Sequence, residues 1–172
     1  MKARSFGFAI ALVVFALDQV AKWYVTGPLG VNHIGDQFVL LPFFQFTYTE
    51  NNGISLGLLN ATTEIGRWML VVLTSAIAVG VAWWLGKEKN RIDQIALGMV
   101  LGGALGNILD RVRHGYVVDF ADLHFGDFRP FLIFNVGDAA ISIAVVILLL
   151  RAFLSRKEQS KGSDPEENIE HA

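Results

Sequence analysis

The sequence predicts an all-α polytopic membrane protein: four transmembrane helices with a small extracytoplasmic β-rich segment. Of its 172 residues, 53% are hydrophobic and only 17% are charged, against roughly 25% in a soluble globular domain. The apolar residues gather into four runs, each able to cross a hydrocarbon layer about 30 Å thick. Residues 1–154 form one membrane domain, with extracytoplasmic loops over 26–64 and 111–130. Residues 155–172 are polar, lack periodicity and read as a disordered cytoplasmic tail.

Lys2 and Arg4 precede the first run, SFGFAIALVVFAL, which continues into DQVAKWYV. A basic start before an apolar run suggests a cleaved leader, but no small-x-small site closes it. Phe6 to Val25 gives about 30 Å of helix, a retained span with Trp23 and Tyr24 at its far interface. Gly27, Pro28, Gly30, Gly35 and Pro42 keep the next stretch from being one helix. Within it FFQFTYTE alternates, with Phe44, Phe46 and Tyr48 on one side and Gln45, Thr47 and Thr49 on the other. That is a strand, and its partner is expected in Asp36–Leu41. Its apolar face suits either a membrane surface or an ordinary packed hairpin.

The second span covers Ile65–Gly86, capped by Thr62 or Thr63 with Glu64 in the first turn. Trp68 and the Trp83–Trp84 pair sit about one bilayer apart, as in an aromatic belt. After the basic loop KEKNRID, the third span lies near Ile92–Asp110. Its Gly98, Gly102, Gly103 and Gly106 dilute the hydropathy but permit close approach by another helix. A loop rich in Gly, Asp, His and Phe follows, and the fourth span runs from about Phe131 to Phe153. Lys2, Arg4, Lys87, Lys89, Arg91, Arg151, Arg156 and Lys157 all fall on one side of this arrangement. The positive-inside bias therefore puts both termini in the cytoplasm, although Arg111, Arg113 and Arg129 lie in the outer loops.

The formal net charge of −2 argues against a nucleic-acid surface, and the absence of cysteine excludes thiolate chemistry and disulfides. His33, His114, His124 and His171 show no HExxH spacing, and GGALG lacks the strand and GK of a phosphate loop. Ser55 has no base placed to activate it. What stands out is polarity at helix ends. Asp18 and Lys22 close span one, Asn107, Asp110 and Arg111 close span three, and Asn135 and Asp138 open span four. Asn51 and Asp119 lie in the joining loops. Ionisable groups at membrane depth are functional-site candidates by default.

Asp18 and Lys22, at i,i+4, suit an ion pair, and Asp110 could pair with Arg111 or Arg113. Asn135 is placed to cap span four or to bind a substrate amide. Asp119 and Asp138 are the candidate chemical pair. Two carboxylates from different elements in a poorly hydrated place share one proton, which supplies an acid and a base at the same pH. Such a pair can hydrolyse an amide without metal, serine or cysteine. A small proton-coupled transporter would also use buried charges, but the sequence shows no internal repeat. A scaffold with charges for helix pairing explains Asp18 and Lys22 but leaves Asp138 without a partner.

In order along the chain, DQVAK (Asp18–Lys22), NNGISLG (Asn51–Gly57), GGALGNILDR (Gly102–Arg111), VVDF (Val117–Phe120) and FNVGDA (Phe134–Ala139) resemble the lipoprotein signal peptidases. That is the type II signal peptidase family of membrane aspartyl proteases. The resemblance spans Phe8 to Leu150. It implies that Asp119 and Asp138 are catalytic and that Asp18, Lys22, Asn51, Gly53, Asn107, Asp110, Arg111 and Asn135 bind substrate or support the site. The family commonly carries Ala-Ala-Phe after its NxG and an alanine before its last aspartate. Here Ile54, Ser55, Leu56 and Gly137 stand there, and no chemical group is lost. The resemblance implies cleavage of diacylglyceryl-modified prolipoproteins just before the lipid-bearing cysteine, in the bacterial cytoplasmic (inner) membrane near its outer face. It also implies contact with membrane lipid, no cofactor or metal, and sensitivity to globomycin-like cyclic peptides. Nothing in the sequence demands an oligomer, so a monomer is expected.

Overall fold

A computed structural model describes residues 4–53 and 63–161. Its elements are α1 (Arg4–Thr26), β1 (Gln37–Leu41), β2 (Phe44–Asn51), α2 (Glu64–Leu85), α3 (Arg91–Arg113), β3 (Val117–Leu123) and α4 (Val136–Lys161). Each helix contains a stretch long and apolar enough to cross a membrane. Lys2, Ile54, Ser55, Leu56, Thr62 and residues 162–172 lie outside the described residues.

Local chemistry sets the helix ends. Thr63 caps α2 by accepting from the Gly66 N–H at 3.1 Å, with Glu64 in the first turn. Asn90 caps α3 through the Ile92 and Asp93 N–H groups. α3 is the central helix, packed against α1, α2 and α4. Its glycines make that possible, since a Cβ on Gly102 would run into the Ala11 carbonyl oxygen of α1. Ala11, Ala78, Leu85, Leu97 and Leu101 form the core between helices. Leu12, Val72 and Leu149 stay exposed on the outer faces, as a lipid solvent allows.

The three strands are antiparallel in the order β1-β2-β3. β1 pairs with β2 as its alternation required, Phe38 opposite Phe46. The inner face packs on the end of α1: Val25 and Val31 bury against Tyr48, Val118, Phe120 and Ala121.

Three boundaries differ from the sequence reading. The 111–130 loop is only partly loop, because α3 continues to Arg113 and Val117–Leu123 is a strand. The fourth helix starts at Val136, not Phe131. Phe134 instead exchanges backbone hydrogen bonds with Ala121 at 3.1 and 2.7 Å, so an apolar run that looked like the top of a span lies along β3. At its other end α4 runs on to Lys161, so residues 155–161 of the expected tail are helical.

Candidate active site

The pairing of Phe134 with Ala121 decides what lies next to Asp119. One residue beyond Phe134, Asn135 turns its side chain back and donates through Nδ2 to Asp119 Oδ1 at 2.6 Å and to Asn107 Oδ1 at 3.1 Å. Its Oδ1 accepts from the Asp138 N–H at 2.8 Å, while its own N–H reaches Asp138 Oδ2 at 3.4 Å. That reciprocal arrangement is a capping box, and it fixes Asp138 in the first turn of α4. Asn107 of α3 donates to Asp138 Oδ1 at 2.8 Å. Asn51, the last residue of β2, donates to Asp119 Oδ2 at 3.0 Å, and its own Oδ1 accepts from the Gly53 N–H.

Beneath the two carboxylates lies a buried charge cluster. Lys22 Nζ sits 2.7 Å from Asp18 Oδ2, 2.7 Å from Asp110 Oδ2 and 3.2 Å from Asn107 Oδ1. Asp18 Oδ1 also accepts from the Gly137 N–H at 2.8 Å, tying α1 to the start of α4. Asp110 Oδ2 accepts from the Val118 N–H at 3.2 Å, tying α3 to β3. Asp110 therefore pairs with Lys22 of another helix, not with Arg111 or Arg113. Buried charges persist when their lone pairs and protons are met in this way. Arg111 lies in the field of Asp138, Asp119 and Asp110, and its buried Nε has no hydrogen-bond partner among the described residues.

All ten expected residues thus occupy one region, with Gly53 tied to it through Asn51. The sequence reading missed two others. Gln19 donates to Asp110 Oδ1 at 3.0 Å and to Asp18 Oδ2 at 3.2 Å; a polar residue inside an apolar run was its available signal. Gly106 faces the Asp18 carboxylate, where a Cβ would overlap Oδ2. At Gly137 a Cβ would be tight, 3.0 Å from the Gly103 carbonyl oxygen and 3.3 Å from Asp18 Oδ1.

Burial and the nearby Asp138 charge push the Asp119 carboxyl up to about 7, although hydrogen bonds from Asn51 and Asn135 and the Lys22 charge oppose them. Each acid opens on its own cleft. Asp119 lines one of about 520 Å³ with Thr49, Asn51, Arg129 and Pro130. Asp138 lines an apolar one of about 360 Å³ with Phe134, Ala139, Ser142 and Ile143. Phe131 and Leu132 border both. An apolar groove of about 720 Å³ along α2 is lined by none of these site residues; the polar group on its lining is Glu64. Two carboxyls gathered around one asparagine, each with a cleft beside it, are placed to act on a chain laid across them.

The family model described as signal peptidase (SPase) II matches residues 10–154. A lipoprotein signal peptidase from Sphingopyxis alaskensis is 56% identical over 149 residues, covering 87% of this chain and 86% of that protein. One from Rhizorhabdus wittichii is 47% identical over 167 residues, covering 97% and 94%. A solved bacterial membrane enzyme superposes with a TM-score of 0.75 at 29% identity, over 94% of this chain and 93% of its own. With four membrane-length helices, a small sheet and matches along nearly its whole length, the chain belongs to the signal peptidase II family.

Proposed function

We propose that this protein is an aspartyl endopeptidase that removes the signal peptide from diacylglyceryl-modified prolipoproteins, cleaving before the lipid-bearing cysteine. The observation that carries the reading is the shared Asn135, whose side-chain amide holds the Asp119 carboxylate of β3 and whose backbone N–H reaches the Asp138 carboxylate of α4, at the junction of two clefts. Both termini face the cytoplasm, so the sheet and the acid pair lie at the outer membrane face. The protein works as a monomer surrounded by lipid, and globomycin-like cyclic peptides compete for the same clefts.

The chemistry needs one proton between Asp119 and Asp138. Asp138 takes a proton from water as the water oxygen attacks the scissile carbonyl carbon. Asp119 gives its proton to the carbonyl oxygen, forming a neutral tetrahedral diol. As the C–N bond breaks, Asp138 returns its proton to the departing nitrogen and the diol gives one back to Asp119. The donors from Asn51, Asn107 and Asn135 keep both carboxyls aimed throughout. Asp18, Lys22, Asp110 and Arg111 hold the frame, and Gly53 keeps Asn51 turned inward.

Purified Asp119→Asn and Asp138→Asn proteins, given a diacylglyceryl-modified precursor in detergent, should both lose cleavage while remaining folded. Chelator should leave the native rate unchanged. Turnover retained by either variant rejects the acid pair.

A further inference from the structure

The cleft beside Asp119 has a second charged wall residue, Arg129. It is not a loose surface side chain. Its Nε donates to Asp122 Oδ1 at 3.1 Å and its Nη2 to Asp122 Oδ2 at 3.4 Å. Asp122 is only 1% exposed, and its Oδ2 also accepts from Gln45 Nε2 at 2.8 Å and Thr47 Oγ1 at 3.0 Å. Burial alone would raise the Asp122 carboxyl, but hydrogen bonds from Arg129, Gln45 and Thr47 and the Arg129 charge hold it below the usual carboxylate range.

This network makes no bond to Asp119 or Asp138, and the acid pair is complete without it. A buried carboxylate given so many donors is expensive to maintain for a sheet of three short strands. Its geometric result is a guanidinium gripped along one edge. Nε and one Nη2 hydrogen are engaged, and among the described residues nothing accepts from the Nη1 hydrogens or the second Nη2 hydrogen. The side chain is 49% exposed and lines the Asp119 cleft.

The two clefts differ in the substrate they suit. The one at Asp138 is apolar and runs along a membrane-spanning helix, which suits the hydrophobic segment of a signal peptide. The one at Asp119 lies on the sheet, outside the spans, which suits the polar chain that follows the cut. Asp119 is the other charged group lining it, and both its oxygens are already held by Asn51 and Asn135. A side chain entering there meets the Arg129 cation, with Asp122 buried behind it.

We infer that Arg129, positioned by Asp122, selects the residue just after the lipid-bearing cysteine, favouring an acidic side chain and disfavouring a basic one. This rests on the peptidase reading above.

The test uses three diacylglyceryl-modified precursors, identical except for Asp, Asn or Lys immediately after the modified cysteine. The native protein should prefer Asp to Lys by about tenfold in kcat/KM, as expected for a cation at a partly exposed binding edge. Arg129→Gln should bring that ratio within about twofold of unity, mainly by changing KM. Arg129→Lys keeps the charge and should retain part of the preference. Asp122→Asn releases the guanidinium and should lower the preference towards that of Arg129→Gln. Each ratio is taken within one variant, so a general loss of activity cancels.

A native protein without preference, or an Arg129→Gln protein with the native ratio, overturns the inference. The native ratio in Asp122→Asn overturns the positioning role. Cleavage of none of the three by the native protein overturns the peptidase reading and this inference with it, an outcome distinct from cleavage without preference.

Discussion

Asn135 Nδ2 lies 2.6 Å from Asp119 Oδ1, the shortest of the bonds this amide makes. The same side chain caps the helix that carries Asp138. One residue therefore sets both the strand acid and the helix acid. Asn135→Ala should lower kcat by at least about 100-fold, the scale seen when a preorganised donor is removed. Loss of the cap should cost only about 1 kcal/mol of stability. Turnover and thermal unfolding measured on the same detergent preparation separate the two effects.

The pH profile follows from Asp119. Its carboxyl is raised to about 7, so the proton it donates in the proposed mechanism is lost as pH climbs through that value. Cleavage should therefore decline on an alkaline limb centred near pH 7. Asn51 opposes the raised pKa by donating to the ionised carboxylate. Asn51→Ala should accordingly move the limb to higher pH while reducing the maximum rate. A limb that moves to lower pH would contradict this account.

Lys22 is the shared countercharge of Asp18 and Asp110. Lys22→Met leaves two buried carboxylates facing each other without it. Destabilisation of about 3–5 kcal/mol is expected, the usual result of breaking a buried pair from one side. Denaturant unfolding in mild detergent measures it. Precursor affinity in an Asp119→Asn background tests for a separate contribution to binding.

Gly106 carries no functional group, yet Gly106→Ala should be among the most damaging small substitutions in α3. Its Cβ would occupy the place of Asp18 Oδ2. Either α1 moves away from α3 or Asp18 leaves Lys22. Overpacking of this sort costs about 1–3 kcal/mol, and cleavage should fall further than stability. Gly80→Ala, whose new Cβ would meet no other part of the described structure within 4 Å beyond its neighbours and its own helix backbone, is the matched control.

Hydropathy revealed the four spans because lipid-facing residues such as Leu12, Val72 and Leu149 are apolar whether or not anything packs on them. The β1–β2 pair was legible from period-two alternation in FFQFTYTE. Asp138 stands out because its own helix offers no basic neighbour, and Asp119 because it sits between the apolar Val118 and Phe120. Partners distant in sequence were less visible. Spacing suggested Arg111 or Arg113 for Asp110, whereas its partner, Lys22, comes from a different helix. Phe131–Phe134 was read as helix because apolar residues look alike in a span and beside a strand; its backbone bonds to β3 decide the matter. Gly106 looked like a packing glycine, and only its neighbour Asp18 shows why its missing side chain matters.

The Phe134–Ala121 pairing also limits how this protein can open. β3 and the lead-in to α4 are rungs of one ladder, with an acid on each side of the joint. A movement that lifted the sheet away from the helices would have to tear those rungs or drag the top of α4 along. For the proposed peptidase, admission of a bulky lipidated chain would therefore fall to parts off the ladder, such as the excursion between Leu123 and Phe134, while Asp119 and Asp138 keep their spacing.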